Sequence, residues 1–91
     1  MPYRIRISEA ARDEIRRLPG HVRQRVRRLI RGLAGNPIPA GAKKLRGLPG
    51  HYRIPTLDWR IIYRVDHEEV IVLDLTVRRK VGPETYEDIP E

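Results

Sequence analysis

The side chains with the most evident chemistry in this 91-residue chain are its guanidinium groups. Sixteen of its 19 basic residues are arginine, and the formal net charge is +7. Residues 15–64 hold 13 of the basic residues and a single acid, Asp58. Because a guanidinium is always charged and binds phosphate oxygens in a bidentate manner, this concentration indicates a polyanionic partner, with nucleic acid as the first candidate. The alternative is an arginine-rich surface that serves only solubility.

Other kinds of chemistry find little support in the composition. Cysteine is absent, which excludes disulfides and thiolate nucleophiles. His21, His51 and His67 are scattered, with no pair at helical spacing, so we expect no metal site and no cofactor. There is no apolar run near the ~20 residues of a membrane span, and the first residues show no signal sequence. We therefore expect one cytoplasmic domain over residues 1–91, without membrane association.

The elements that must position the arginines begin with one strand and two helices. Residues 3–7 alternate between apolar and arginine residues, as in a half-buried strand. Ser8 suits a helix N-cap, and Pro19-Gly20 ends the first helix. Apolar residues from Val22 to Leu33 recur at helical spacing and mark a second helix, which stops before residues 35–37. The short connection predicts a helix hairpin.

The remainder of the chain predicts a loop and three strands. Residues 36–50, rich in proline and glycine, read as a basic loop, and strands follow at 51–54, 59–65 and 70–77. Pro55 is expected to end the first of these strands, and turn-length intervals favour an antiparallel meander. The predicted order is β-α-α-β-β-β: an α+β fold with a helix hairpin packed on one face of a four-stranded, mainly antiparallel sheet, followed by a short polar C-terminal tail.

Strand alternation predicts that most arginines of the sheet share the face that the helices leave open. That face is expected to display Arg4, Arg6, Arg53, Arg60 and Arg64. In the last strand the residues at 71, 73, 75 and 77 are all apolar and are expected to face the helices. Asp74 then lies on the open face, either paired with Arg60 or Arg64 or solvated. Tyr86, His51 and Trp59 are candidates for stacking on bases, although the apolar neighbours of Trp59 favour the core.

An ordered set of segments resembles the RelE/ParE superfamily of toxins from type II toxin–antitoxin modules. The resemblance covers nearly the whole chain. It rests on the sequences SEAA at 8–11, LP at 18–19, NP at 36–37, KKLRG at 43–47, YRI at 52–54, WRIIY at 59–63 and VRRK at 77–80, followed by Tyr86. In its basic cluster after the last strand and the tyrosine beyond it, the chain looks more like the RelE branch than the ParE branch. The fold that this superfamily implies agrees with the one predicted above.

The resemblance implies an mRNA interferase, an endoribonuclease that cleaves mRNA on the ribosome by 2′-OH attack, without metal. It gives Arg53 and Arg60 the role of stabilising the phosphate. Arg79 and Lys80 match the basic cluster that serves the scissile phosphate or the leaving group. Tyr86 matches a tyrosine that orients the attacking nucleotide or acts as general base.

The same resemblance implies how the toxin meets its partners. Lys43, Lys44 and Arg46 resemble contacts to the ribosomal RNA backbone, as do the helix residues Arg23 and Arg27. A cognate antitoxin protein is implied as the partner in a hetero-oligomer, alongside the ribosome and mRNA. Relatives often have a lysine where this chain has Pro55, so one candidate proton acceptor is absent. Two alternatives stay open: a ParE-like inhibitor of DNA gyrase without nuclease chemistry, and a basic nucleic-acid-binding module.

Overall fold

Two helices pack on one face of a mixed five-stranded sheet in the computed structural model, which describes residues 2–77. The elements are β1 (Arg4–Ile7), α1 (Glu9–Arg16), α2 (Gly20–Gly32), β2 (Lys43–Lys44), β3 (His51–Thr56), β4 (Trp59–Asp66) and β5 (Glu69–Val77). The strand order is β1-β5-β4-β3-β2; β1 runs parallel to β5, and the other neighbours are antiparallel. The predicted α+β class is confirmed. None of the helices in residues 2–77 is long and apolar enough to cross a membrane.

The fifth strand corrects the predicted count of four. Lys43 and Lys44, expected in a loop, pair antiparallel with Arg53 and Tyr52 as β2. Two residues are too few to display the alternation by which strands are recognised, so this strand has no sequence signature. Its effect is to bring the basic segment 43–46 against the edge of β3.

The core lies between the helix pair and one face of the sheet. The helices contribute the apolar positions whose spacing predicted them, and the sheet contributes alternate positions of β3, β4 and β5. The buried apolar residues are Ala11, Ile15, Leu18, Val22, Val26, Ile30, Leu33, Tyr52, Ile54, Ile61, Tyr63, Val70, Val72 and Leu75. Trp59 is half-buried and packs against this cluster, which confirms its core assignment.

Hydrogen bonds from side chains fix both ends of α1. The Ser8 hydroxyl oxygen accepts from Ala11 N–H at 3.0 Å, so the predicted N-cap is confirmed. At the other end the Arg23 guanidinium donates to the carbonyls of Arg16 (3.4 Å) and Leu18 (3.2 Å). Cationic donors at a helix C-terminus satisfy carbonyls that lack partners within the helix. Arg23 therefore joins α2 to the end of α1.

A β-bulge in β5 overturns the predicted orientation of half of that strand. Ile62 lies opposite Asp74 and Tyr63 opposite Val72, so Leu73 is an extra residue between the two pairs. One inserted residue shifts the alternation, and every side chain before it changes face. Val70 and Val72 are consequently buried with Leu75, whereas Ile71, expected in the core, lies on the open face.

Two side chains bind the backbone of the bulge. The Ser8 hydroxyl donates to the Leu73 carbonyl at 2.8 Å, and the Asp74 carboxylate accepts from Leu75 N–H at 2.9 Å. Buried backbone groups that leave a sheet ladder need such partners. The hydrogen bond to Leu75 N–H gives Asp74 a partner within an otherwise apolar strand. Arg64, one of the two arginines expected to pair with Asp74, pairs with Asp66 at 3.1 Å.

Pro55 does not end β3, contrary to expectation. The strand continues to Thr56, and Pro55 lies opposite Arg60 of β4. Because β2 covers only Tyr52 and Arg53, β3 is a free edge at Pro55, where a residue without an N–H is tolerated. The hairpin to β4 then turns in two residues, with Leu57 at a positive φ of 56°.

Candidate nucleic-acid interface

The sheet face that the helices leave uncovered, hereafter the open face, is rich in cations. The register of the strand pairs places the following residues on the open face: Arg4 and Arg6 of β1, Lys43 of β2, His51, Arg53 and Pro55 of β3, Arg60, Ile62, Arg64 and Asp66 of β4, and Glu69, Ile71, Asp74 and Thr76 of β5. Six cationic side chains therefore share a surface with three carboxylates. The five arginines predicted for this face are confirmed there.

Two cations from different strands face each other at the β2 side of the open face. Lys43 lies directly opposite Arg53, and Arg60 follows in the next row of β4, opposite Pro55. Directly opposite residues in an antiparallel pair have Cβ atoms about 4.5–5.5 Å apart, and like charges at that spacing destabilise the sheet. We call Lys43, Arg53 and Arg60 the cationic corner. Three cations so placed suit the binding of a phosphate.

The acids of the open face lie mainly at its other end. Glu69 accepts ion pairs from Arg4 at 3.4 Å and from Arg6 at 3.5 Å, and Asp66 pairs with Arg64. These pairs partly neutralise the β1 side of the face. Among the described residues, the cationic corner lies at the opposite side of the sheet from these ion pairs.

The basic loop extends the cationic surface past the edge of the sheet. Lys44 and Arg46 are exposed, and Lys44 lines a pocket of about 390 Å³ formed with Leu45, Leu48 and Tyr52. Lys44 alternates with Lys43, so it points to the helix side of the sheet rather than to the open face. Of the predicted loop contacts, the structure thus brings Lys43 to the cationic corner and leaves Lys44 and Arg46 at its border.

A buried tyrosine anchors the segment that leads into β2. The Tyr63 hydroxyl donates to the Pro37 carbonyl at 2.8 Å, and its ring stacks on Tyr52 with centroids 5.7 Å apart. Burial, with a smaller contribution from Tyr52, raises the pKa of Tyr63 from 10.0 to about 12. The neutral hydroxyl therefore persists as a donor throughout the physiological pH range.

The arginines of α2 lie apart from this surface. Since the helices cover the opposite face of the sheet, their exposed sides point away from the cationic corner. Arg27 lines a pocket of about 320 Å³ with Arg12, Arg16 and two isoleucines. Arg23 is half-buried and caps α1. The structure thus separates Arg23 and Arg27 from Arg53 and Arg60.

Three predicted site residues, Arg79, Lys80 and Tyr86, lie outside the described residues. β5 ends at Val77, and its register places that residue opposite Trp59, beside Arg60 in β4. The last described residue of β5 therefore lies at the end of the sheet where the cationic corner is found. Within residues 2–77 there is no cluster of three histidine, aspartate or glutamate side chains that could hold a metal ion.

The facing of Lys43 and Arg53 is the feature that sequence reasoning missed. Ten residues separate them, and no periodic pattern links a two-residue strand to its partner. The regular strands were more informative, because alternation alone placed Arg53, Arg60 and Arg64 on one face.

Comparison with known proteins identifies the family. Residues 5–82 match the family described as ParE toxin of type II toxin–antitoxin system, parDE. The chain belongs to this toxin family. Within the wider RelE/ParE superfamily, it is 30% identical to the mRNA interferase toxin RelE of Escherichia coli K12 over 90 residues, covering 97% of this chain and 94% of that protein. It is 31% identical to toxin RelG of Mycobacterium tuberculosis, covering 85% of this chain and 90% of that protein.

Solved structures agree with the fold of this family member. The archaeal RelE–RelB complex from Pyrococcus horikoshii OT3 matches with a TM-score of 0.79 at 26% identity, over 89% of this chain and 100% of the matched chain. The isolated E. coli RelE toxin matches with a TM-score of 0.75 at 27% identity, over 94% of this chain and 93% of that toxin. The predicted relationship to the RelE/ParE superfamily is confirmed.

Proposed function

We propose that this toxin is an endoribonuclease that cleaves mRNA on the ribosome, and that it does so without a metal ion. The observation that carries the proposal is the cationic corner, where two strands hold Lys43 and Arg53 directly opposite each other beside Arg60. Such an arrangement costs stability and suits a bound phosphate. Relatives named mRNA interferase supply the class of reaction.

The chemistry uses the nucleophile that RNA itself carries. The 2′-oxygen attacks the adjacent phosphorus and the bond to the 5′-oxygen breaks, which yields a 2′,3′-cyclic phosphate and a 5′-hydroxyl. The 2′-hydroxyl gives up its proton, and the 5′-oxygen gains one. Negative charge grows on the phosphoryl oxygens in the transition state, so guanidinium groups fixed on β3 and β4 stabilise it electrostatically. Arg53 and Arg60 have this role in the proposal.

The residues beyond β5 complete the proposed site through family resemblance. Arg79 and Lys80 act on the scissile phosphate or the leaving group, and Tyr86 orients the attacking nucleotide or removes its proton. The position of Val77, opposite Trp59 and next to the row of Arg60, is consistent with a role of the following residues at the cationic corner. Lys43, Lys44 and Arg46 contact the ribosomal RNA backbone around the site. Arg27 is a more distant contact, and Arg23 is mainly a helix cap.

A cognate antitoxin is the proposed protein partner. Two of the matching structures are complexes in which RelE is bound to RelB, from Pyrococcus horikoshii OT3 and from E. coli. An acidic segment across the open face would neutralise the guanidinium groups and block access of RNA. Binding to the folded toxin alone would also raise its stability by mass action.

The family match also favours a second candidate function. The matching family is the ParE toxins, and a ParE-like inhibitor of DNA gyrase is the alternative function. That reading needs binding of a protein partner but no transition-state stabilisation. If this is the function, the wild type cleaves no RNA, and the effect of Arg60→Ala would be limited to weaker binding of gyrase.

Mapping of mRNA 5′ ends after brief induction tests the proposal. New ends at fixed codon positions within translated frames are expected for the wild type. Arg60→Ala should reduce cleavage by a factor on the order of 10²–10³, the usual loss when one transition-state donor is removed. Arg12→Ala is the matched control, because Arg12 is exposed on α1, behind the sheet. Growth arrest with a DNA-damage response and no new mRNA ends would refute the ribonuclease and support the gyrase inhibitor.

A further inference from the structure

Within residues 2–77, the open face carries one imidazole, and its position is fixed. His51 begins β3, on the same face as Arg53, and lies directly opposite Arg64. Its backbone N–H donates to the Leu48 carbonyl at 3.1 Å, and its carbonyl accepts from Leu45 N–H at 2.9 Å. The half-buried residue is thus held on both sides of its Cα, which limits where the ring can point.

The preceding loop also holds the ring itself. The His51 Nδ1 lies 3.0 Å from the Pro49 carbonyl oxygen. A carbonyl can only accept, so Nδ1 carries the proton and donates, and in the neutral ring Nε2 is left with a lone pair. The turn depends on Gly50, whose φ is 78° and where an added Cβ would lie 3.3 Å from the Val65 carbonyl. The loop therefore selects the tautomer that leaves Nε2 able to accept a proton.

The charges around His51 suit a base that works on RNA. Arg64 faces it from β4, Arg53 lies two residues along its own strand, and Lys43 faces Arg53 from β2. Arg46 is the cation of the adjoining loop. Two residues along a strand span about 7 Å, so a phosphate held by the long Arg53 side chain lies within reach of the imidazole.

The carboxylates that residues 2–77 place on the open face are engaged elsewhere and carry the wrong charge for the task. Asp66 and Glu69 accept ion pairs from arginines, and Asp74 accepts from the backbone at the bulge. A carboxylate also repels the phosphate that it would have to approach, whereas a neutral imidazole does not. Pro55, beside Arg60, has no titratable group.

We propose that His51 Nε2 is the general base that removes the proton from the attacking 2′-hydroxyl. As the O2′–H bond breaks, the 2′-oxygen forms its bond to phosphorus and the proton passes to Nε2. The bond from phosphorus to the 5′-oxygen then breaks, and that oxygen takes a proton from water. The imidazolium afterwards returns its proton to solvent, so no net proton is consumed. This inference rests on the proposed ribonuclease function and adds to it a residue of this chain.

Single-turnover cleavage of mRNA on programmed ribosomes, measured across pH, tests the assignment. His51→Asn is the decisive variant, because the asparagine amide can still donate to the Pro49 carbonyl but offers no base at the position of Nε2. We expect its cleavage rate to fall by about 10²–10⁴-fold, the usual contribution of general acid–base catalysis. Its affinity for ribosomes should stay within about twofold. His67→Asn, at an exposed hairpin tip, is the matched control and should cleave like the wild type.

The pH profile distinguishes a base from a structural histidine. An imidazole base works only when neutral, so the wild-type rate should rise with pH and then level off, and His51→Asn should lose that dependence. Wild-type rates and an unchanged profile in His51→Asn would overturn the role of His51 while leaving the ribonuclease intact. So would a loss of activity in His51→Ala that His51→Asn restores. Absence of cleavage by the wild type would instead refute the proposed function, and the base with it.

Discussion

Removal of one buried hydroxyl, in Tyr63→Phe, tests how the segment before β2 is held. Tyr63 is fully buried, and its hydroxyl makes a 2.8 Å hydrogen bond to the Pro37 carbonyl. The substitution keeps the ring stacked on Tyr52 but leaves that carbonyl without this donor. Since the same segment leads to Lys43, we expect the loss to be felt at the cationic corner as well as in stability.

The magnitude follows from the contact and from the titration of the phenol. An acceptor that loses its buried partner costs about 1–3 kcal/mol, so the free energy of unfolding should fall by that amount near neutral pH. Because the pKa of Tyr63 rises from 10.0 in the unfolded chain to about 12 in the fold, the wild type loses stability as pH rises between those values. The difference between wild type and variant should therefore shrink by roughly 1.4 kcal/mol by about pH 11.

Urea denaturation at about pH 8 and about pH 11 measures both effects. Tyr52→Phe is the matched control, because it removes the hydroxyl of the ring that stacks on Tyr63 and leaves the bond to the Pro37 carbonyl in place. The control should lower the free energy of unfolding by less than Tyr63→Phe does, because the bond to the Pro37 carbonyl remains. Equal losses in the two variants would refute the role assigned to this hydrogen bond. A Tyr63→Phe difference that is independent of pH would contradict the effect of burial on the pKa of Tyr63.

Three further substitutions test the other structural assignments. Lys43→Gln should raise the free energy of unfolding by a few tenths of a kcal/mol, because it removes the repulsion with Arg53. It should also weaken RNA binding and reduce by about 1 the slope of the logarithm of the binding constant against the logarithm of salt concentration. Lower stability with unchanged RNA binding would contradict a functional role for that pair. Ser8→Ala should lower the free energy of unfolding by about 1–3 kcal/mol, because it removes the helix cap and the hydrogen bond to the Leu73 carbonyl. Ser8→Thr keeps the hydroxyl and should retain most of that stability, as measured by thermal unfolding. His67→Gly should be more stable than His67→Ala by roughly 1 kcal/mol, since residue 67 has a φ of 54°, and identical melting temperatures would argue against strain at this turn.

The fold was largely predictable because its regular elements are long enough to display their periods. The two helices and the strands of the meander were expected near their observed positions, and the parity of β3 and β4 placed Arg53, Arg60 and Arg64 correctly. Errors occurred where one residue or two decided the outcome. Strand β2 is too short for a pattern, and the extra residue Leu73 shifts the alternation of β5 without any mark in the sequence.

Asp74 shows how an acid in an apolar strand can find a partner in the backbone. An acid in an apolar strand suggested an ion pair with an arginine, because a partner was needed. The structure supplies that partner within the strand itself, as the N–H of Leu75. The need for a partner was predicted correctly, but the backbone donor depends on the bulge, which the sequence does not reveal.

The sequence by itself determined the large positive charge, the α+β class and the family, because these depend on composition, period and the order of motifs along the chain. Only the tertiary structure decided which cations meet. Lys43 and Arg53 lie face to face because a two-residue strand pairs with the edge of β3, and Arg23 serves the helices because its side chain reaches the end of α1. Contacts between distant residues depend on strand register and on the direction of each side chain. A one-residue shift in register moves every side chain of the strand to the other face, and so changes the surface that RNA would meet.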